Sequence, residues 1–261
     1  MSIPALYHYF RVPVPYAQTL ALQERIHAIQ RSQRQASGRH KDILLLLQHR
    51  PVYTAGRRQT EDAIQDERTR LTRMGADFVR TARGGELTYH GPGQIVGYPL
   101  LDLSRPRPSQ STPMMIRDYV DRLQKILQSH ILEAHGIMHA PSDNTGVFLD
   151  ARTKIASIGV QVRHRLTTHG VSLNITREPL AWFDEVVACG LVGVKAASVE
   201  GVLGKETSVE DEIPGLVRRF GVAMERDFQP MVLEQEEEIG EAIAELEAEA
   251  AALQGWPRTP L

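Results

Sequence analysis

The chain contains a single cysteine, Cys189, in the segment DEVVACGLVGVKA, and this is the side chain best suited to nucleophilic chemistry. A cysteine attacks as its thiolate, and an ordinary thiol pKa of about 8.5 leaves only a small fraction ionised near neutral pH. A neighbouring group must therefore assist the sulfur. Gly190 follows directly and leaves room for a substrate to approach. A lone cysteine is more often a small buried apolar side chain, so Cys189 alone does not establish catalysis.

Motifs for other chemistries are missing from the sequence. There is no P-loop, no GxGxxG after a strand, no CxxC and no HExxH, and His90, His164 and His169 are too scattered to be read as metal ligands. We therefore predict neither a metal ion nor a cofactor. Acyl transfer from a thioester needs neither. Exchange of the acyl group between two thiols has a reaction free energy near zero, and its transfer from a thioester to an amine is favourable.

Residues 83–100, RGGELTYHGPGQIVGYPL, place five glycines and two prolines among residues that otherwise suit strands. Glycines allow the backbone itself to form the wall of a pocket. They can equally mark turns, and the residues alone leave both interpretations open.

Four segments together resemble the lipoyl/octanoyl transferase family. Residues 83–100 match its first signature, KIASIG (154–159) its second, HGVSLNI (169–175) its third and ACGL (188–191) its fourth, all in the family's order. The resemblance runs from about residue 7 to about residue 204. Residues 145–148 read Thr-Gly-Val-Phe where the family often has Pro-Gly-Val-Trp, which keeps the glycine and an aromatic ring.

The resemblance implies a reaction in two halves. Cys189 would carry an octanoyl or lipoyl group as a thioester, with Lys154 as its partner. An ammonium beside a thiol favours the thiolate and can then protonate the departing thiol. Neutral Lys154 would later take a proton from the incoming lysine amine.

The resemblance also implies a substrate pocket. Two further segments would touch the acyl substrate, and histidines would either support the catalytic pair or hold adjacent loops. The predicted substrate-binding residues are Arg83, Gly84, Gly85, Glu86, Leu87, Thr88, Tyr89, His90, Ser157, Ile158, Gly159, Gly170, Val171 and Ser172, with His169 as a possible supporting residue.

The implied partners are proteins. The acyl donor would be octanoyl-phosphopantetheine on acyl carrier protein, and the acceptors would be lipoyl domains of 2-oxoacid dehydrogenases and the glycine cleavage H protein. Residues 1–205 hold 26 basic and 18 acidic side chains, whereas residues 206–261 hold 4 basic and 14 acidic ones. A body of net charge +8 suits acidic partners, with residues 57–58 and 163–165 as candidate contacts, although ordinary surface charge would look the same. We predict no nucleic-acid or membrane partner.

The elements around these residues can be predicted from their patterns. Amphipathic spacing predicts helices over residues 16–35 and 115–135, and a charged helix is expected over 63–74. The run DILLLLQH predicts a strand buried on both faces. Residues 77–85 and 94–103 read as further strands. Residues 147–149, 155–162 and 171–175 are predicted to form consecutive antiparallel strands.

These elements, with the resemblance, predict an α/β (α+β) fold with a mixed sheet flanked by helices, similar to the biotin and lipoate ligase catalytic domain. We place the octanoyltransferase catalytic domain at residues 1–205. We place an acidic, largely helical C-terminal extension at 206–261 and expect the part after about residues 215–230 to be removable without loss of the chemistry. No apolar run is long enough to span a bilayer and no secretory signal is recognisable, which favours the cytoplasm of a bacterium or the mitochondrial matrix.

Three alternatives differ in chemistry. An ATP-dependent lipoate or biotin ligase of the same fold would need no cysteine. A thiol hydrolase would release free octanoate. A non-catalytic acyl-carrier-binding protein would keep the pocket, but it would have no need for both Cys189 and Lys154.

Overall fold

A computed structural model describes residues 4–261 and contains eleven strands and seven helices within that range. The first half runs β1 (Pro4–Tyr9), α1 (Tyr16–Ser37), β2 (Asp42–Leu47), β3 (Val52–Ala55), α2 (Glu61–Arg73), β4 (Asp77–Arg80), β5 (Thr88–His90), β6 (Gln94–Leu100) and α3 (Ile116–His135). The second half runs β7 (Val147–Asp150), β8 (Thr153–Arg163), β9 (Leu166–Asn174), α4 (Glu178–Phe183), β10 (Lys195–Ala196), α5 (Val199–Leu203), α6 (Val209–Met224), β11 (Asp227–Pro230) and α7 (Glu237–Ala252).

The main sheet has eight strands in the order β10-β8-β9-β6-β2-β1-β11, with β7 also paired to β8. The pairs β1–β2, β1–β11 and β10–β8 are parallel, and the pairs β2–β6, β6–β9, β8–β9 and β7–β8 are antiparallel. The predicted mixed sheet and the three consecutive antiparallel strands are confirmed. A second sheet of three strands has the order β4-β3-β5.

Apolar side chains on β2 divide between two cores, one on each face of the main sheet. Leu44 and Leu46 join a core that includes residues of α3 and α6, whereas Ile43, Leu45 and Leu47 join a core that includes residues of α1 and α7. Because successive strand residues point to opposite faces, an uninterrupted apolar run suits a strand covered on both sides. The predicted burial of this strand is confirmed.

The predicted helices are found close to their expected bounds, as α1, α2 and α3. Left-handed glycines, Gly38 and Gly136, end α1 and α3, as expected for residues that adopt this conformation without a Cβ penalty. The short strands β1, β3, β5, β10 and β11 were not predicted. Within residues 4–261, no helix is both long and apolar enough to cross a membrane.

The C-terminal extension is structurally part of the same body. Strand β11 pairs with β1 at the edge of the main sheet, Phe220 of α6 is fully buried in one core, and Ile243 of α7 is fully buried in the other. The expectation that its last part can be removed is not tested by this packing. The functional boundary at residue 205 stays a prediction.

Candidate active site

Lys154 and Cys189, which are 35 positions apart in the chain, meet in the structure. The Lys154 Nζ donates to Cys189 Sγ at 3.4 Å. Lys154 lies at the start of β8 and is 9% exposed, while Cys189 is half-buried in a short turn formed by Ala188–Gly190. A buried cation beside a thiol stabilises the thiolate more than it would in water, since the local dielectric is lower.

The turn holds the cysteine in an unusual backbone conformation. Cys189 has φ 57° and ψ 21°, in the left-handed region that few residues other than glycine adopt. Its N–H donates to the Leu87 carbonyl at 2.8 Å, which fixes the turn to the segment before β5. Gly190 has φ +67°, and a Cβ there would lie 2.0 Å from Glu86 Oε2. Such strain is concentrated at functional sites.

The strand and a neighbouring glycine position Lys154. Its ammonium lies 5.3 Å from the centre of the Phe148 ring, the aromatic residue that replaces the family's common tryptophan. A Cβ on Gly146, whose φ is +130°, would lie 2.6 Å from Lys154 Cε. Among the described residues no carboxylate forms an ion pair with Lys154. The ammonium is therefore available to the sulfur and to substrates.

A cleft of about 440 Å³, here called the inner cleft, extends from Cys189 into the protein. Most of the predicted substrate-binding residues line it, including His169. The lining residues are Tyr16, Arg83, Gly85, Glu86, Thr88, His90, Val96, Tyr98, Ser157, Ile158, Gly159, His169, Gly170, Val171, Ser172 and Cys189. Tyr16, Val96 and Tyr98 were not among the predicted lining residues. Val96 and Tyr98 lie inside the glycine-rich signature, which could have pointed to them. Tyr16 is the first residue of α1, and nothing in the sequence around it indicates a contact with the cleft.

Three predicted lining residues face elsewhere. Gly84 lines a second cleft described below. Leu87 and Tyr89 pack into a small core with Trp182, whose ring stacks on Tyr89 at 5.3 Å. Alternation along β5 explains this, because Thr88 and His90 point into the inner cleft and Tyr89 must then point away. The Leu87 and Tyr89 side chains thus lie in this core and not in the inner cleft, and their role in substrate binding stays a prediction.

Arg83 organises the loop before β5 from a buried position. Its guanidinium donates to both oxygens of Thr54 at 2.7 Å, to Glu86 O at 2.9 Å and to Gly84 O at 3.0 Å. These acceptors are neutral, so a net positive charge remains beside the inner cleft.

The two histidines of the inner cleft are neutral near pH 7. Burial, and then the charge of Arg83, lower the pKa of His90 to about 4 and that of His169 to about 3. His90 Nδ1 lies 2.7 Å from Gln94 Oε1, and Gln94 in turn donates to Asn174 Oδ1 at 2.8 Å. Within residues 4–261 neither histidine hydrogen-bonds to Lys154 or Cys189. This favours the interpretation that they hold adjacent strands together.

Two further clefts meet at the lysine. The outer cleft is bounded by Arg58, Asn144 and Thr145 at the surface and reaches both Lys154 and Cys189. The side cleft, of about 810 Å³, is formed by β8, β9 and the segment 183–196, and it reaches Lys154 but is not lined by Cys189. A bond between the sulfur and an acyl group can therefore be approached from several directions.

One group of described side chains has ligand atoms close enough to hold a metal ion. These are His130, His135 and Glu212, whose ligand atoms lie within 4.8 Å of one another. They belong to α3 and α6, and both imidazoles contact the same carboxylate oxygen, at 2.7 and 3.0 Å. Neither helix carries Lys154 or Cys189. The prediction that the chemistry uses no metal or cofactor stays a prediction.

The fold and the site define a class before any particular family. The protein is similar to lipoate–protein ligase A bound with ATP, with a TM-score of 0.65, 17% identity and full coverage of both chains. It is also similar to Ta0514, a lipoate protein ligase homologue from T. acidophilum, with a TM-score of 0.63 and 16% identity over 93% of this chain and 95% of the other. The chain therefore has the lipoate ligase fold, as predicted.

Sequence comparison assigns the family within that class. The profile of the lipoyl protein ligase A/B catalytic domain matches residues 15–221, so the chain belongs to this family. An octanoyltransferase of Caldicellulosiruptor saccharolyticus is 33% identical over 87% of this chain and 92% of its own. A mitochondrial octanoyl-[acyl-carrier-protein]:protein N-octanoyltransferase of Homo sapiens is 37% identical over 79% of this chain and 88% of its own. The resemblance found in the four motifs is confirmed, and the relatives include both bacterial and mitochondrial proteins.

Proposed function

We propose that the protein transfers an octanoyl group from acyl carrier protein to a lysine of a lipoyl domain through a thioester on Cys189. The observation that carries the proposal is the 3.4 Å contact between Lys154 Nζ and Cys189 Sγ at the junction of three clefts. The names of the relatives support the choice of donor and acceptor.

In the first half-reaction the Cys189 thiolate attacks the carbonyl carbon of the octanoyl thioester. The bond from carbon to Cys189 Sγ forms and the bond from carbon to the donor sulfur breaks. The Lys154 ammonium gives its proton to the departing sulfur and becomes neutral. Lys154 suits this role because it already donates to the sulfur that is attacking.

In the second half-reaction the acceptor lysine attacks the acyl-enzyme. Its amine must lose a proton as the amide forms, and neutral Lys154 takes that proton. The bond from carbon to Cys189 Sγ breaks, so the thiolate and the ammonium are restored together. One lysine thus acts as acid in the first half and base in the second.

The inner cleft is the proposed acyl site. Cys189 lies on its wall, and Val96, Ile158 and Val171 provide apolar surface there. Each buried methylene contributes about 0.8 kcal/mol, so an eight-carbon chain would gain several kcal/mol. Thr88, Ser157 and Ser172 narrow the cleft without filling it, since their side chains are small.

Arg58 is the best placed of the predicted basic contacts for acidic partners. It is exposed and lines the outer cleft, and Arg57 beside it is also exposed. Arg163, by contrast, pairs with Glu24 at 2.5 Å, and so part of its charge is already neutralised. Acyl carrier protein and lipoyl domains would meet the protein in the bacterial cytoplasm or the mitochondrial matrix, the two settings that its relatives suggest.

Intact-protein mass spectrometry tests the proposal. The enzyme is mixed with octanoyl-acyl carrier protein without ATP, and an apo lipoyl domain is then added. We expect a mass gain of one octanoyl group on Cys189, followed by its appearance on the lipoyl domain. Cys189→Ser should abolish the adduct, and Lys154→Ala should slow both steps. A requirement for ATP would indicate a ligase, release of octanoate alone a hydrolase, and no adduct a binding protein.

A further inference from the structure

The side cleft has no role in the reaction as described so far, although it is large and reaches the catalytic lysine. Its walls come from β8 and β9 on one side and from the segment between α4 and β10 on the other. It shares Ser157 and Ser172 with the inner cleft, and Lys154 with the outer cleft. It therefore adjoins both the reaction centre and the proposed acyl site.

The position of the dyad restricts what the side cleft can hold. A thioester at the reaction centre has an acyl arm and a thiol arm that extend in different directions from the carbonyl carbon. Cys189 lines the inner cleft and Lys154 does not, whereas Lys154 lines the side cleft and Cys189 does not. Since the departing sulfur must lie beside the Lys154 ammonium, the thiol arm belongs on the lysine side.

The side cleft and the outer cleft are similar in volume, about 810 and 780 Å³, and differ in the residues that line them. The acceptor is a short lysine side chain on a folded domain, which suits the outer cleft with its surface residues Asn144 and Thr145. The pantetheine thiol arm is a long chain with methyl and methylene groups and two amides, which suits the apolar wall that Phe183, Val186 and Val194 give the side cleft.

The walls of the side cleft match the chemistry of pantetheine. Phe183, Val186 and Val194 offer apolar surface to its methylene and methyl groups. Ser157 and Ser172 lie opposite each other in the β8–β9 register, and no hydrogen bond of either hydroxyl is found among residues 4–261. They are placed to bond to the amides of a ligand. Lys195 is exposed at the cleft and can meet a phosphate, while Asp184 is the carboxylate that also lines it.

We propose that the side cleft binds the phosphopantetheine arm of the acyl donor, with Lys195 facing its phosphate. This inference rests on the proposed function. The arm is chemically the same whether it is carried by acyl carrier protein or by coenzyme A, so donors of both kinds belong in the test.

The test compares donors that share the octanoyl group and differ in the thiol. These are octanoyl-acyl carrier protein, octanoyl-coenzyme A, octanoyl-4′-phosphopantetheine, octanoyl-pantetheine and octanoyl-N-acetylcysteamine, the last being too short to fill the side cleft. Val194→Trp should fill the cleft and lower kcat/KM for acyl-enzyme formation by about tenfold or more with every pantetheine donor. With octanoyl-N-acetylcysteamine it should change little.

Lys195→Glu should separate the phosphate from the rest of the arm. It should lower kcat/KM by about tenfold for the phosphorylated donors and leave octanoyl-pantetheine nearly unchanged. Lys205→Glu, at an exposed lysine that does not line the cleft, is the matched control. In Val194→Trp and in Lys195→Glu, single-turnover transfer of the octanoyl group from preloaded acyl-enzyme to a lipoyl domain should keep the wild-type rate. Equal losses with coenzyme A and carrier-protein donors would show that the arm alone is recognised.

Other outcomes would overturn the inference in distinct ways. An equal loss with the N-acetylcysteamine donor would show damage to the dyad, and a change in preferred acyl chain length would assign the cleft to the acyl group. Unchanged rates in both variants would place the arm elsewhere. If the wild-type protein forms no acyl-enzyme with any donor, the proposed function itself fails.

Discussion

At the scale of single residues, the position of the Lys154 side chain depends on Gly146, a glycine that lies outside β8. Gly146 precedes β7 and has φ +130°, and a Cβ there would lie 2.6 Å from Lys154 Cε and 2.7 Å from the carbonyl oxygen of Ala156. The lysine side chain runs through space that only a glycine leaves empty. The glycine kept in residues 145–148 thus has a steric reason.

Gly146→Ala should therefore damage catalysis more than stability. We expect about 1–2 kcal/mol of backbone strain from an alanine with positive φ, together with a displaced Lys154 and much slower rates in both half-reactions. Gly136→Ala is the matched control, because Gly136 also has positive φ, at +67°, with nothing within 4 Å of its Cβ position. Thermal unfolding and acyl-enzyme formation are measured for both. Equal activity in the two variants would contradict the steric argument.

The neutral histidines of the inner cleft make stability depend on pH. His90 has a pKa lowered from 6.5 to about 4 by burial and by Arg83, and His49, 5.8 Å from it between ring centres, is shifted in the same direction chiefly by burial. In the unfolded chain the His90 imidazole takes up a proton below about pH 6.5, whereas in the folded protein it does so only near pH 4, and burial lowers the pKa of His49 in the same direction. Stability should therefore fall as the pH falls through this window.

His90→Asn should make that fall less steep. The asparagine amide can still donate to Gln94, but it cannot be protonated. The slope of unfolding free energy against pH between about 4.5 and 6 should decrease by about one proton, or about 1.4 kcal/mol per pH unit. Urea unfolding at several pH values measures this slope. An unchanged slope in His90→Asn would mean that His90 titrates normally in the folded protein.

At the scale of elements, the spacing of apolar residues correctly predicted the long, regular helices and strands. Helices α1 and α3 and strand β2 follow from apolar spacing because each buries a continuous stripe or two whole faces. The dyad was predictable only through the resemblance, since no local pattern brings residue 154 to residue 189.

The features that the sequence did not predict involve short elements and contacts whose structure depends on residues far away in the chain. Strand β5 is three residues long and pairs with β3, so its alternation could not be read from a glycine-rich stretch. The packing of Leu87 and Tyr89 in the core around Trp182 was therefore not predicted. Tyr16 joins the inner cleft only because α1 packs against the sheet near β9, a tertiary contact with no local signal.

Ion pairs between the extension and the body occur at both buried and exposed positions, and one substitution at each position compares their contributions to stability. Arg226 donates to Asp42 Oδ2 at 2.8 Å, with both side chains almost fully buried. Arg11 pairs with Glu210 at 2.5 Å, and both are exposed. Arg226→Ala should cost about 3–5 kcal/mol because it removes the partner of a buried carboxylate. Arg11→Ala should cost about 0–1 kcal/mol. Similar losses in urea unfolding would mean that Arg105, also within 3.5 Å of Asp42, compensates fully for Arg226.

At the scale of the whole molecule, the opposite charges of the body and the extension largely face each other. Glu247 contacts His8, Glu245 contacts Arg25 and Glu236 contacts Lys41, so α7 and the residues before it lie against basic side chains of the body. Part of the +8 body charge is thus neutralised within the protein. Arg57 and Arg58 are exposed basic residues of the body, and Arg58 lines the outer cleft, where an acidic partner would meet it.

Removal of the part of the extension after Glu225 should for this reason unfold the protein. A chain ending at Glu225 loses β11, which pairs with β1, and α7, whose Ile239, Ile243 and Leu246 are buried in the same core as Leu22 and Ile26 of α1. Each buried side chain of this size contributes about 1.5–3 kcal/mol, so the losses together match or exceed the total stability of about 5–15 kcal/mol that is usual for a domain. We expect such a chain to lack cooperative thermal unfolding and to form no acyl-enzyme.

A chain ending at Leu253 is the control for this truncation. It keeps β11 and α7 and loses only the last eight residues, in which Trp256 lies 5.3 Å from the Arg50 guanidinium and the Arg258 carbonyl accepts from Trp182. Those contacts hold the three-stranded sheet from outside, so we expect a folded protein with a modestly lower Tm and a measurable rate of acyl-enzyme formation. If the chain ending at Glu225 is folded and forms the acyl-enzyme at the full rate, the part of the extension after Glu225 is an appendage after all, and the main sheet does not need β11.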